Sequence, residues 1–183
     1  MKSVQKFLFL LVAAASVACA EYVPVETYTE ADDPIALTAE DEAAWAAVEK
    51  NMNVAWGDAD CRYSRSLVPQ PAGVETMKIT LWRGEKGQAQ ALVWTPEGLN
   101  GVECEFADFK SKDAVLPAAI AKSFFVRYTM ADQFLPTKEK AVLMADMLDP
   151  IERFDIAAKT TRPVWVTLEI PEDAQPGVYT STL

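Results

Sequence analysis

From Arg162 to Ile170 the chain reads RPVWVTLEI, and its apolar side chains recur at every second residue: Val164, Val166, Leu168 and Ile170 share one face. A period of two is the signature of a strand with one face in a core. After a Pro/Gly turn, PEDAQPGVYTSTL alternates again, so the two stretches predict a β-hairpin. The same period runs through MNVAWG, MKITLWRG, GQAQALVWT, NGVECEFADF and AKSFFVRYTMADQF, each broken from the next by Pro, Gly, Asn or Asp. Strands this closely spaced, with no long helix between them, predict an all-β fold: an antiparallel β-sandwich. Cys104, Phe106, Val126, Val166 and Leu168 are expected in its core.

Two stretches break the period. LTAEDEAAWAAVEKN offers Thr38 as an N-cap, the acids Glu40, Asp41 and Glu42 in a first turn, and Trp45 and Val48 at helical spacing. It predicts one short N-terminal helix. LPTKEKAVLMADMLDP, bracketed by Pro136 and Pro150, spaces Met144, Met147 and Leu148 as a short helical turn would, and is expected as a minor helical excursion between strands.

The first residues follow another rule. Lys2 and Lys6 flank the start of an apolar run from Phe7 to Ala15 that ends in small residues, the order of a secretory signal peptide. Residues 1–20 are therefore expected to be removed on export, to a bacterial periplasm or cell surface. Two cleavages fit. Ala18-Cys19-Ala20 suits an ordinary signal peptidase, whereas Ser16-Val17-Ala18-Cys19 resembles a lipobox, which would lipidate Cys19 and make an outer-membrane lipoprotein, its lipid anchor the only membrane contact. Residues 21–37, EYVPVETYTEADDPIAL, are acidic and expected as a tether. The sandwich is expected over residues 38–183.

Charge narrows the partners. The chain carries 17 basic and 27 acidic residues, a formal −10. Without Lys2 and Lys6 the balance is 15 to 27, or −12. Nucleic acid is not an expected partner, since the Lys and Arg residues are scattered singly among acids. With no histidine in the sequence, Ser-His-Asp and Cys-His nucleophiles and His-bearing zinc sites are excluded. No cofactor or metal is expected, because Asp58 and Asp60 supply two oxygens of the six to eight a calcium cage takes. Cys61 and Cys104 are free to pair in an oxidising compartment, though two lone cysteines of unrelated spacing favour separate thiols.

Two clusters carry candidate chemistry. AWGDADCRYSR gathers Trp56, Asp58, Asp60, Arg62 and Tyr63, and LWRGEKG gathers Trp82, Arg83 and Glu85. An aromatic face beside carboxylates and Arg is how proteins hold sugars, so both are candidate glycan or interdomain contacts. Each also reads as a loop brace or a tight turn. The adjacent acids Asp32-Asp33, Asp41-Glu42 and Glu172-Asp173 fall on the tether, the helix and the hairpin turn, where solvation explains them better than the paired chemistry of glycoside hydrolysis.

WGDADCRYSRSLVP, WRGEKGQAQALVW and RPVWVTLEIPEDAQPGVYTSTL resemble, in that order, the N-terminal domain of glycoside hydrolase family 123-like proteins, over about Met52 to Leu183. Cys61 and Ser181 stand where other small residues are expected. The resemblance implies a β-sandwich that precedes a (β/α)8 barrel, whose Asp-Glu pair removes terminal N-acetylgalactosamine with help from the substrate's acetamido group. Nothing in the sequence resembles that barrel or its pair, so no catalytic residue carries over. The expected role is a non-catalytic accessory domain packing against a barrel absent from this chain. The alternatives are a stand-alone glycan-binding module of the cell envelope and a structural or docking module.

Overall fold

The computed structural model describes residues 5–10 (backbone), 29–131 and 142–183. The strands are β1 (Gln5–Leu10), β2 (Asn53–Gly57), β3 (Thr76–Leu81), β4 (Lys86–Thr95), β5 (Leu99–Glu103) and β6 (Phe109–Lys110). They continue as β7 (Val115–Leu116), β8 (Ala121–Ala131), β9 (Val142–Asp149), β10 (Arg153–Ile156), β11 (Thr160–Glu169) and β12 (Val178–Thr182). Helix α1 (Ala39–Ala46) and a single 3-10 turn at Ala118–Ile120 complete the regular structure among the described residues.

Two five-stranded sheets form, in the orders β3-β1-β12-β6-β7 and β2-β4-β11-β8-β9, with β5 and β10 as a small third sheet. Every pairing is antiparallel except β1 with β12. β11 pairs with β4 along its whole length, from Thr160 opposite Thr95 to Glu169 opposite Lys86. Its alternation therefore decides the core: Val164, Val166, Leu168 and Ile170 are buried, with Ala89, Ala91, Val93 and Phe125 from the same sheet. Leu81, Phe109, Leu116 and Tyr179 meet them from the first sheet. The chain is an all-β antiparallel sandwich.

The other face of the second sheet is also covered. Leu92, Val126, Tyr128 and Ala145 are buried there, with Trp165 packed alongside. Residues 58–67 lie across this face and satisfy several of their carbonyls on it. Gln90 Nε2 donates to the carbonyls of Asp58 (2.7 Å) and Cys61 (3.1 Å), Tyr128 Oη to that of Tyr63 (3.0 Å), and Thr161 Oγ1 to that of Leu67 (2.7 Å). Trp45 of α1 adds a bond from Nε1 to the Ser66 carbonyl at 2.8 Å. Gly57 starts the crossing because a Cβ there would sit 3.0 Å from Leu92 Cγ and 3.1 Å from Tyr63 Cε2. Val126 is thus buried as expected, but on this face, while Cys104 and Phe106 are half-buried at the edge of the main core.

Helix α1 forms as its sequence predicts, with Thr38 and Asp41 closing a capping box and Trp45 buried. The helical turn expected at Met144, Met147 and Leu148 is instead strand β9. Its register slips between Arg127↔Met147 and Tyr128↔Ala145, leaving Asp146 without a residue opposite it in the ladder. A bulge residue of this kind resets the alternation, which is why period two is hidden there. The first part of that stretch, 135–141, lies outside the described residues, as do the positions around Cys19. Of the stretch expected as a tether, residues 29–37 lie within the description.

Candidate functional site

Pro163 marks the end of the β11–β8 ladder. It has no N–H to give, and the pairing of β11 with β8 ends beside it, at Val164 opposite Phe125. Beyond that point the two strands diverge, and side chains fill the wedge. Arg162 donates from Nη1 to the Val126 carbonyl at 2.8 Å. Glu30 accepts the Tyr128 N–H on Oε1 at 3.0 Å. The two are also paired to each other, Nη1 to Oε1 at 2.5 Å and Nη2 to Oε2 at 3.0 Å, a bidentate geometry. Arg65, from the crossing segment, reaches Glu30 Oε2 at 3.2 Å.

Around this pair the cations and rings interleave. The Arg162 guanidinium lies 4.9 Å from the Tyr128 ring centre and 4.5 Å from that of Phe154, and Arg127 sits 4.5 Å from the same Phe154 ring. Arg127 in turn bonds Asp149 through Nε at 2.8 Å, with both side chains under a tenth exposed. Lys159 and Glu42 pair at the rim. Of these residues, Glu30, Arg65, Arg127, Phe154, Lys159 and Arg162 line a cleft of about 520 Å³. Burial works against the charge on Glu30, but the hydrogen bond and charge of Arg162, the Tyr128 N–H and Arg65 outweigh it and hold the carboxyl below its ordinary range. Burial pushes the Tyr128 phenol upward, so it stays a neutral donor.

None of the eight candidate contact residues lines this cleft. Trp56 is fully buried in the sandwich core and offers no face to a ligand, which corrects its reading as a contact residue. Asp58 accepts the Asp60 N–H on Oδ1 at 2.9 Å, and its own N–H goes to Tyr63 Oη at 2.8 Å. The Asp58 carboxylate thus braces the crossing segment. Arg62 is exposed and pairs with Asp146 at 3.4 Å. Trp82, Arg83 and Glu85 form the β3–β4 turn, where Glu85 Oε2 accepts the Trp82 N–H at 2.6 Å. Of these, Trp82 keeps a large apolar surface in solvent, 40% exposed.

Three of the adjacent acids also have structural partners. Asp33 accepts from Ser66 Oγ at 2.5 Å, and Asp41 and Glu42 serve the helix cap and Lys159. Cys61 is exposed and Cys104 half-buried, both as free thiols, and burial pushes Cys104 up to about 11. Among the described residues no group of three acids or thiols could hold a metal ion.

Sequence reasoning passed over the Glu30 cluster because Arg65, Arg127 and Arg162 stand far apart in the chain and Glu30 is one acid among many. One signal was present. Arg127 shares the inward parity of Phe125 in FFVRY, and a charge at an inward position implies a buried partner.

The family model of the glycoside hydrolase 123 N-terminal domain matches residues 56–183. Among solved structures, the chain is similar to a family 123 glycoside hydrolase from Clostridium perfringens, described for its glycolipid glycan hydrolysis, at 16% identity and a TM-score of 0.58. The similarity covers 72% of this chain and 26% of that one. A search of curated proteins found no match.

Proposed function

Because the chain belongs to the family of glycoside hydrolase 123 N-terminal domains, we propose that it is a non-catalytic accessory domain of an exported glycoside hydrolase, packing against and orienting a catalytic barrel. The observation that carries this reading is the pairing of a match over residues 56–183 with coverage of only about a quarter, 26%, of the Clostridium hydrolase. The substrate class that follows is a terminal β-N-acetylgalactosaminide. Export with loss of residues 1–20, or anchoring through a lipid on Cys19, belongs to the same proposal. The placement of several acids supports it: among the described residues, the carboxylates of Glu30, Asp41, Asp58 and Asp149 are each taken up by a structural partner.

Trp82 favours a second reading. An indole 40% exposed on a rigid turn, beside Arg83, is a surface on which a sugar ring can stack. One experiment addresses both. The purified chain, incubated with an aryl β-N-acetylgalactosaminide, is expected to release no aglycone, while titration with a galactosaminyl glycan reads any change in indole fluorescence. Turnover abolished by changing an acid of this chain would overturn the accessory role. Quenching lost in Trp82→Ala would make the domain a glycan binder as well.

A further inference from the structure

The wedge between β8 and β11 is an unusual place for a carboxylate. Strands that part inside a sheet leave backbone groups facing each other across a gap too wide to bridge, and such groups are costly when buried. Here Val126 C=O is met by Arg162 and Tyr128 N–H by Glu30, so the pair replaces the missing rungs of the ladder. Arg162 belongs to the sheet, but Glu30 comes from the acidic stretch that precedes the helix. Its side chain is 10% exposed and that of Arg162 4%. Among the described residues the neighbouring acids are engaged elsewhere: Asp33 with Ser66, Asp149 with Arg127, Glu42 with Lys159, and Asp155 Oδ1 with the Gly101 N–H at 2.7 Å.

We propose that Arg162, Arg65 and the Tyr128 N–H form a carboxylate-binding site, filled in cis by Glu30, through which the acidic N-terminal stretch docks onto the sandwich. Asp33, three residues on, adds its bond to Ser66 on the crossing segment, so the stretch is fixed at two points. The ligand is a carboxylate specifically. Two parallel N–H bonds from a planar guanidinium and a third from the backbone match two oxygens in one plane.

In the full chain, Glu30→Ala empties the site. Its thermal midpoint is expected to fall by on the order of 10 °C, since a buried guanidinium loses its counter-ion. Acetate at about 100 mM, against matched chloride, should recover several degrees in Glu30→Ala and leave wild type and the Glu30→Ala/Arg162→Met double variant unmoved. A Glu30→Ala protein that melts with wild type, that acetate does not rescue, or that acetate shifts no more than the other two, overturns the site. Should Glu30→Ala fail to fold, Glu30→Gln provides the reading: Tyr128 amide exchange is expected to quicken about tenfold or more. Equal exchange in the two proteins overturns the proposal.

Discussion

A carboxylate removed from water is stable only while its cations stay with it, and Glu30 makes folding stability depend on acid in a definite direction. The groups facing it are Arg162 from β11, Arg65 from the crossing segment, Tyr128 from β8, and Asp33 on its own stretch. The Arg127–Asp149 pair and Lys159 stand behind them. The folded-state pKa of Glu30 lies below its ordinary 4.5. Its stabilisation is therefore fully present above pH 4.5 and is lost as pH falls through the lower, folded value. Exposed Asp41 and Glu169 are also held below their ordinary values, by Thr38 and by Lys86, and remain in any Glu30 variant. Urea midpoints followed from pH 7 downward are expected to drop more steeply below 4.5 in wild type than in Glu30→Gln. Parallel curves would show that Glu30 is not the group that titrates.

Among the elements, β11 carries most of the fold and was the most legible in the sequence, because it is central, regular and paired with β4 throughout. Parity on β11 makes a sharp comparison. Val166 is fully buried in the core, so Val166→Asp places a charge where no cation faces it. The cost, several kcal/mol, is comparable to the whole stability of a domain, about 5–15 kcal/mol, and the variant is expected to lack native near-ultraviolet dichroism. Thr167 next to it points to the other face, opposite Lys122 of β8. Thr167→Asp gains that cross-strand partner and should fold, within about 1 kcal/mol of wild type by urea titration. If both fold alike, the inward assignment is wrong. What the alternation could not show is where strands stop obeying it. β9 is hidden by the bulged Asp146, NGVECEFADF breaks after Glu103 when its partner β10 ends, and the Glu30 wedge depends on contacts 35 to 132 residues apart in the chain. Local pattern fixes faces; the convergence of distant charges is a property of the assembled sheets.

Across the whole molecule the two sheets are not equally self-sufficient. Each strand of the second sheet has its neighbours from residues 53–169, whereas the first is joined through β1: β3 pairs with β1 on one side, and β1 with β12 on the other. Residues 5–10 belong to the stretch proposed to be lost on export. Removing them would leave Thr76–Leu81 with Leu81 still anchored in the core, but without a hydrogen-bonded strand beside it, and would bare one edge of β12. Hydrogen exchange compares the chain with one beginning at Glu21. In the shorter protein the β3 amides that bonded β1 are expected to exchange at least about tenfold faster, while those of β4 and β11 keep their protection. Protection of β3 that is unchanged would mean that another segment takes the slot, and that the sandwich reaches its mature pairing without the leader. Uniform loss across both sheets would mean that residues 5–10 are part of the folding unit, which would count against their removal.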